Sequence, residues 1–448
     1  MNYESRNPAT NELIESFPLL PDADVDGVLE HASIAAAHWR ATTFAERGEL
    51  LIRIADLIEQ RRESLATLAH EEMGKLMAEA LGEVDKCAIA CRHYASNSEA
   101  MLQDELIETP ASRSLVSYEP LGTVLAIMPW NFPFWQVFRF LAPTLMAGNS
   151  ALLKHAPNVP RCAAAMAQLI DDAGAPKGLF TNLYLSNEQA AEVIADPRVH
   201  GVAFTGSERA GRQIGALAGA NLKKVVLELG GSDPFIVLED ADLDQAVEVA
   251  VRARYSNAGQ ICIAAKRFIV VDAVAREFTD KLVARVKSLV PGETLAPMAR
   301  ADLRDGLHTQ VQESINEGAV PLLGCEVVAG EGFYYAPSIL DNVKLGMTAF
   351  NEEMFGPVAG IVRARDEQDA IALANATRFG LGASIWTQDS ERGEAVARQI
   401  EAGAVFVNAQ VASDVRMPFG GIKASGLGRE LGEHGIREFC NVKSLWVA

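Results

Sequence analysis

Short apolar runs alternate with helix-length segments through the middle of this chain. That alternation constrains its fold more than any other feature. Gly122-Thr123-Val124-Leu125-Ala126-Ile127-Met128, Ser150-Ala151-Leu152-Leu153-Lys154, Val202-Ala203-Phe204 and Lys224-Val225-Val226-Leu227 each read as a strand. Continuous apolar runs belong to strands covered on both faces, and the helices between them supply the crossovers of a parallel sheet. Upstream, residues 23–105 read mostly helical, with apolar residues at helical spacing from Ala45 to Ile58. The alternation restarts after Gly230-Gly231. Pro234-Phe235-Ile236-Val237-Leu238 is the next strand, followed by a helix that Asp242 can cap, with Gln245 three residues on. Gly230-Gly231 therefore reads as a boundary between two α/β domains.

At 448 residues and 49% hydrophobic, the chain can build more than one large core. A formal net charge of −19 argues against nucleic acid or an anionic membrane surface as a partner. It leaves an anionic small molecule possible, because a local basic pocket overrides the global field. The six cysteines include no C-x-x-C pair and no zinc-type histidine spacing, so no metal is expected. Cys87 and Cys91 read as core neighbours. Sparse cysteines, no leader-like N-terminus and no run of 18 apolar residues lead to the expectation of a cytoplasmic protein.

One cysteine stands apart. Ser256-Asn257-Ala258-Gly259-Gln260-Ile261-Cys262 is a polar stretch between a helix-like segment, Leu243 to Tyr255, and a strand-like run, Arg267-Phe268-Ile269-Val270-Val271. A thiol on such a loop can reach a substrate. Upstream, Glu228 lies in an apolar strand-like run, where desolvation would raise its pKa and make it a usable base. An ion pair with Lys223 or Lys224 is the other reading of Glu228. Asn131, in Met128-Pro129-Trp130-Asn131-Phe132-Pro133, can donate from its amide, or can simply be a turn residue. Nucleophile, base and oxyanion donor are the parts of acyl chemistry. At Phe204-Thr205-Gly206-Ser207, a strand ends, Gly206 turns the chain and Ser207 can cap the next helix. Its N-terminus would suit a pyrophosphate, although this is not G-x-G-x-x-G.

Taken in order, Pro129-Trp130-Asn131-Phe132-Pro133, Leu153-Lys154, Phe204-Thr205-Gly206-Ser207, Leu227-Glu228-Leu229-Gly230-Gly231, Gly259-Gln260-Ile261-Cys262, Glu352-Glu353-Met354-Phe355-Gly356-Pro357 and Pro418-Phe419-Gly420-Gly421 resemble the aldehyde dehydrogenase superfamily. Lys154-His155-Ala156-Pro157-Asn158 and Glu228-Leu229-Gly230-Gly231-Ser232-Asp233-Pro234-Phe235 look like its short bacterial succinate-semialdehyde dehydrogenases.

The resemblance implies a fold: a Rossmann-type cofactor domain (1–105 and 121–229), an α/β catalytic domain (230–430) and a small β oligomerisation element (106–120 and 431–448). The last pairs the alternating segments Ser112–Glu119 and Phe439–Val447 in a homodimer or homotetramer. It also implies a reaction: NAD- or NADP-dependent oxidation of an aldehyde to its carboxylic acid through a Cys262 thioester, with Asn131 as oxyanion donor and Glu228 as base. Met128, Trp130, Lys154, Gly206, Ser207, Glu353 and Phe355 match cofactor positions. Pro157 stands where many relatives carry a glutamate that holds the adenosine ribose, so nothing there repels a 2′-phosphate. Arg139 and Ser413 match residues that hold a distal carboxylate, which makes succinate semialdehyde the expected substrate. A second arginine of some relatives is Ser256 here, with Arg254 as a possible substitute. The stretch from Pro291 to Pro297 looks shortened. Another aliphatic or aromatic aldehyde, or a catalytically silent binding protein on the same fold, are the competing readings.

Overall fold

The computed structural model describes residues 3–448. The early helical region forms four helices, Asp22–Trp39, Phe44–Gln60, Arg62–Met73 and Met77–Met101. Phe44–Gln60 starts with a capping box: the Thr43 hydroxyl accepts from the Glu46 amide, and the Glu46 carboxylate accepts from the Thr43 amide. Its apolar stripe, Leu50, Leu51, Ile54 and Ile58, shares a core with Val84, Cys87, Cys91 and Tyr94 of Met77–Met101.

Two buried carboxylates from these helices serve other helices. Glu83 Oε1 accepts from the amides of Phe134 (2.8 Å) and Trp135 (2.9 Å), where the helix Trp135–Met146 begins. The Glu72 oxygens accept from the amides of Arg161 and Cys162, at the start of Pro160–Asp172. Each places negative charge on the positive end of a helix dipole and satisfies donors that the helix leaves free.

The strands expected from the apolar runs form one six-stranded sheet. Phe180–Asn182, Ser150–His155, Thr123–Met128, Val199–Thr205 and Lys224–Glu228 run parallel in that order. The outer strand, Gly426–Leu427, is antiparallel to Lys224–Glu228. This last piece comes from the segment that the sequence division places with residues 230–430, and it covers the edge beside Glu228. Thr123–Met128 has its successor Ser150–His155 on one side and Val199–Thr205 on the other. The strand order thus reverses there, and ligands bind beyond the carboxyl ends of strands at such a reversal.

A second sheet of seven strands follows: Val320–Leu323, Ser338–Asp341, Val358–Ala364, Ala265–Val271, Asp233–Val237, Gly382–Trp386 and Ala404–Val407. All neighbours are parallel except the first pair. The helix expected at Leu243–Tyr255 has those bounds, and the Asp242 side chain accepts from the Gln245 amide. A third sheet pairs Cys440–Val447 antiparallel with Arg113–Pro120, in register from Cys440 opposite Pro120 to Val447 opposite Arg113. Among the described residues no helix is long and apolar enough to cross a membrane.

Candidate active site

Cys262 sits at the end of a strained turn held by buried polar side chains. The helix Leu243–Tyr255 gives way to Asn257 (φ 52°), Ala258 (φ 51°) and Gly259 (φ 71°), all left-handed. Such a conformation costs a non-glycine residue roughly 1–2 kcal/mol, so the surroundings must impose it. The Asn257 amide donates to Glu79 Oε1 at 2.8 Å. Gln260 Nε2 donates to the Asn257 carbonyl, and Gln260 Oε1 accepts from the Ala299 amide. Lys266 Nζ donates to the carbonyls of Ile261, Cys262 and Ala264. At Gly259 a Cβ would lie 2.3 Å from the Gly356 carbonyl oxygen, so no other residue fits. The Pro291–Pro297 stretch ends where Gln260 is anchored, since Gln260 Nε2 also lies 3.4 Å from the Pro297 carbonyl.

This turn puts the thiol where two cavities meet. One, of about 230 Å³, is lined by Trp130, Asn131, Gly206, Ser207, Glu353 and Phe355. The other, of about 260 Å³, is lined by Lys86, Trp135, Arg139, Ser413 and Phe419. Cys262 and Gln136 border both. Burial pushes the Cys262 thiol up to about 11, against the opposing pull of Arg139 and Lys266. The resting group is therefore the thiol at neutral pH.

Asn131 is 4% exposed and sits in the same place. Its amide nitrogen donates to the Gln260 carbonyl at 3.0 Å. An amide has two N–H donors, so one remains for an oxygen beside Cys262. Asn257 Nδ2 donates to the Asn131 carbonyl at 3.0 Å, fixing Asn131 against the Cys262 turn.

Glu228 is 2% exposed, and neither of its oxygens has a hydrogen-bond partner among the described residues. Its side chain borders neither cavity. It points toward Gly420, where a Cβ would lie 2.5 Å from Glu228 Oε1. The lysine pairings are not made: Lys223 binds the carbonyls of Asp196 and Val199, and Lys224 lies near Glu438. Burial, and then the charge of Glu430, hold the Glu228 carboxyl well above the usual carboxylate range. Action as a base thus requires a side-chain rotation toward Cys262.

On the first cavity's side, Ser207 caps the helix Glu208–Ala220, its hydroxyl accepting from the Ala210 amide. Glu353 Oε1 accepts from the Gly231 amide at 3.1 Å and lies 3.6 Å from Lys266 Nζ. Phe355 meets Trp130 edge to face, with centroids 5.9 Å apart. Three expected cofactor residues line neither cavity. Met128 is packed in the core, with its carbonyl beside His155 Nδ1. Lys154 is buried at the end of its strand, its amine pushed down to about 8 by burial. The Pro157 carbonyl accepts from the Glu4 amide. A helix N-terminus, a carboxylate suited to ribose hydroxyls, two aromatic faces and a Gly230 that leaves room for Glu353 together fit a dinucleotide.

In the second cavity, Arg139 arrives with its charge already matched. It is ion-paired with Glu430, donates to Thr205 Oγ1 at 3.3 Å and lies over the Phe419 ring. Ser413 Oγ accepts from Lys86 Nζ at 2.6 Å. Arg254 cannot stand in for a second arginine. It is fully buried and holds the carbonyls of Gly259 and Ala265. Lys86, Gln136 and Glu430 were not singled out from the sequence. Only the fold brings Lys86 and Gln136 to the cavity beside Cys262, and Glu430 to Arg139.

Two α/β sheets that meet at the Cys262 thiol, with a cavity that fits a dinucleotide on one side and a cation-bearing cavity on the other, define the class. The chain belongs to the aldehyde dehydrogenase family, which it matches over residues 1–445. It is 48% identical over 448 residues to a probable succinate-semialdehyde dehydrogenase [NADP(+)] of Synechocystis sp., covering 99% of each chain. It is also 48% identical to the succinate semialdehyde dehydrogenase [NAD(P)+] Sad of Escherichia coli, covering 99% of this chain and 97% of that one. Among solved structures, the succinic semialdehyde dehydrogenase of Streptococcus pyogenes in complex with NADP+ superimposes with a TM-score of 0.97 at 38% identity, covering 99% of each chain.

Proposed function

We propose that this protein oxidises succinate semialdehyde to succinate with NADP or NAD, through a thioester on Cys262. The observation that carries this reading is the place of Cys262 at the meeting of the two cavities. A reacting carbonyl there reaches both a hydride acceptor and the wall that carries the amine of Lys86. The relatives named for succinate semialdehyde and for NADP(+) or NAD(P)+ support the choice of substrate and cofactor.

The chain's own residues divide the work. Cys262 Sγ attacks the aldehyde carbon, and the Asn131 amide and the Cys262 backbone N–H hydrogen-bond the oxyanion that forms. The bound dinucleotide supplies the hydride acceptor. Gly206 and Ser207 would hold its phosphates at the helix N-terminus and Glu353 its ribose, with Trp130 and Phe355 as walls. Lys154 and Pro157 lie on the adenosine side, and Pro157 supports use of NADP because it carries no charge to repel a 2′-phosphate. Glu228 takes a proton from the water that opens the thioester, which yields the free acid. Arg139, paired with Glu430, shapes the cavity wall, and Ser413 offers its hydroxyl.

The strand Cys440–Val447 leaves Val442, Leu445, Trp446 and Val447 exposed on a sheet edge, which supports a homodimer or homotetramer built through that element. All six cysteines are free thiols, which supports a reducing compartment such as the cytoplasm. A steady-state panel of succinate semialdehyde, butyraldehyde and benzaldehyde, each with NADP and NAD, tests the assignment. The expected result is the highest kcat/KM with succinate semialdehyde and measurable turnover with NADP. A preference for either uncharged aldehyde would overturn it.

A further inference from the structure

We propose that Lys266 is a positioning residue for the oxyanion: its ammonium polarises the peptide between Ile261 and Cys262 and so strengthens the Cys262 backbone N–H as a donor. The proposal rests on the reading of Cys262 as the nucleophile and adds the residue that arms its amide.

Lys266 lies on the strand Ala265–Val271, and its amine reaches back to the turn that carries Cys262. The residue is fully buried. Nζ donates to the Ile261 carbonyl at 3.0 Å, to the Ala264 carbonyl at 3.2 Å and to the Cys262 carbonyl. Three acceptors call for three N–H groups, which the ammonium has and the neutral amine lacks. Neutral donors could satisfy these carbonyls without the cost of burying a charge, so the charge itself points to a task.

The Ile261 carbonyl belongs to the same peptide unit as the Cys262 N–H. A cation on the oxygen of a peptide draws electron density from its nitrogen and makes the N–H a stronger donor. The preceding peptide carries the Gln260 carbonyl, which accepts from the Asn131 amide. Adjacent peptides of one turn therefore set both donors proposed for the oxyanion. The groups that face the ammonium are Glu353, 3.6 Å away, Asp233, Arg254 and the Cys262 thiol. Burial lowers the pKa of the amine and Arg254 adds to the lowering, while Glu353, Asp233 and the thiol pull it up. Two carboxyl groups thus help to hold the charge in a site where water does not screen it.

The test compares two reactions of the Cys262 thiolate in the enzyme free of cofactor. p-Nitrophenyl acetate acylates it through a tetrahedral oxyanion and releases p-nitrophenolate. Iodoacetamide alkylates it by displacement of iodide, and no oxyanion forms. At one pH the ratio of the two rate constants does not depend on how much thiol is ionised. Lys266→Met and Lys266→Gln should lower the ratio of acylation to alkylation about tenfold, a fraction of the roughly 10²–10³ lost with a whole oxyanion donor. Lys266→Gln keeps an N–H donor for the turn, so it reports on the charge even if Lys266→Met does not fold. Lys266→Arg should restore the ratio to within about threefold of wild type. A ratio unchanged in Lys266→Gln, or equal loss of both reactions in every variant, would overturn the proposal and reduce Lys266 to a clamp on the turn. Peptide mapping that places the acetyl and carboxamidomethyl groups of the wild type on a residue other than Cys262 would instead remove the reading of Cys262 as nucleophile.

Discussion

The amide nitrogen of Asn131 donates to the carbonyl of Gln260 at 3.0 Å, two residues ahead of Cys262. The amide proposed as oxyanion donor is thereby locked to the backbone of the turn that positions the thiol. Preorganised donors of this kind are worth about 10²–10³ in kcat. Asn131→Ala should therefore lower kcat for aldehyde oxidation by that factor with little change in KM. A loss confined to KM would place Asn131 in binding rather than in stabilising the oxyanion.

Glu228 is buried with neither oxygen hydrogen-bonded, and its carboxyl is held high by desolvation and by Glu430. A raised pKa favours the protonated form, and only the ionised form can take a proton from water. Thioester hydrolysis should therefore speed up as pH rises, until Glu228 is ionised. Glu228→Gln should give a burst of reduced cofactor followed by slow turnover without that pH dependence. Loss of the burst as well would assign Glu228 to activating the thiol.

Glu430 neutralises Arg139 and also raises the pKa of Glu228. Removing one partner of a buried pair typically costs about 3–5 kcal/mol, so Glu430→Gln should lower Tm clearly. It should also move the pH profile of kcat toward lower pH, because the repelling charge beside Glu228 is gone. An unshifted profile in a folded variant would separate Glu430 from the titration of Glu228.

Pro157 bears no charge, and its only described polar contact is through its carbonyl. Pro157→Glu should reduce kcat/KM for NADP by at least tenfold more than for NAD, since a carboxylate repels a 2′-phosphate and accepts from ribose hydroxyls. Equal effects on the two cofactors would place the 2′-phosphate elsewhere.

What was legible in the sequence was whatever is written locally. The strands at Thr123–Met128 and Lys224–Glu228 showed as apolar runs, and the Asp242 cap showed in its own spacing. Cys262, Asn131 and Glu228 stood out because each lies in a short word of unusual composition. Lys86 did not, because a lysine on a long helix usually faces solvent, and only tertiary packing turns this one into a cavity. The Arg139–Glu430 pair was equally hidden, since its partners lie in distant parts of the chain. Arg139 therefore looked like a free cation until the fold supplied its counter-ion. The left-handed run at Asn257–Gly259 could not be read either, because Glu79, Gln260 and Lys266 impose it from outside.

The covalent intermediate tests the central claim most directly. Glu228→Gln, mixed with succinate semialdehyde and NADP and quenched in acid within the burst, should carry a succinyl group on the peptide that contains Cys262. The adduct should match the reduced cofactor formed one for one, and Cys262→Ala should yield neither. Reduced cofactor without a succinyl adduct on Cys262, or an adduct on another cysteine, would contradict the account.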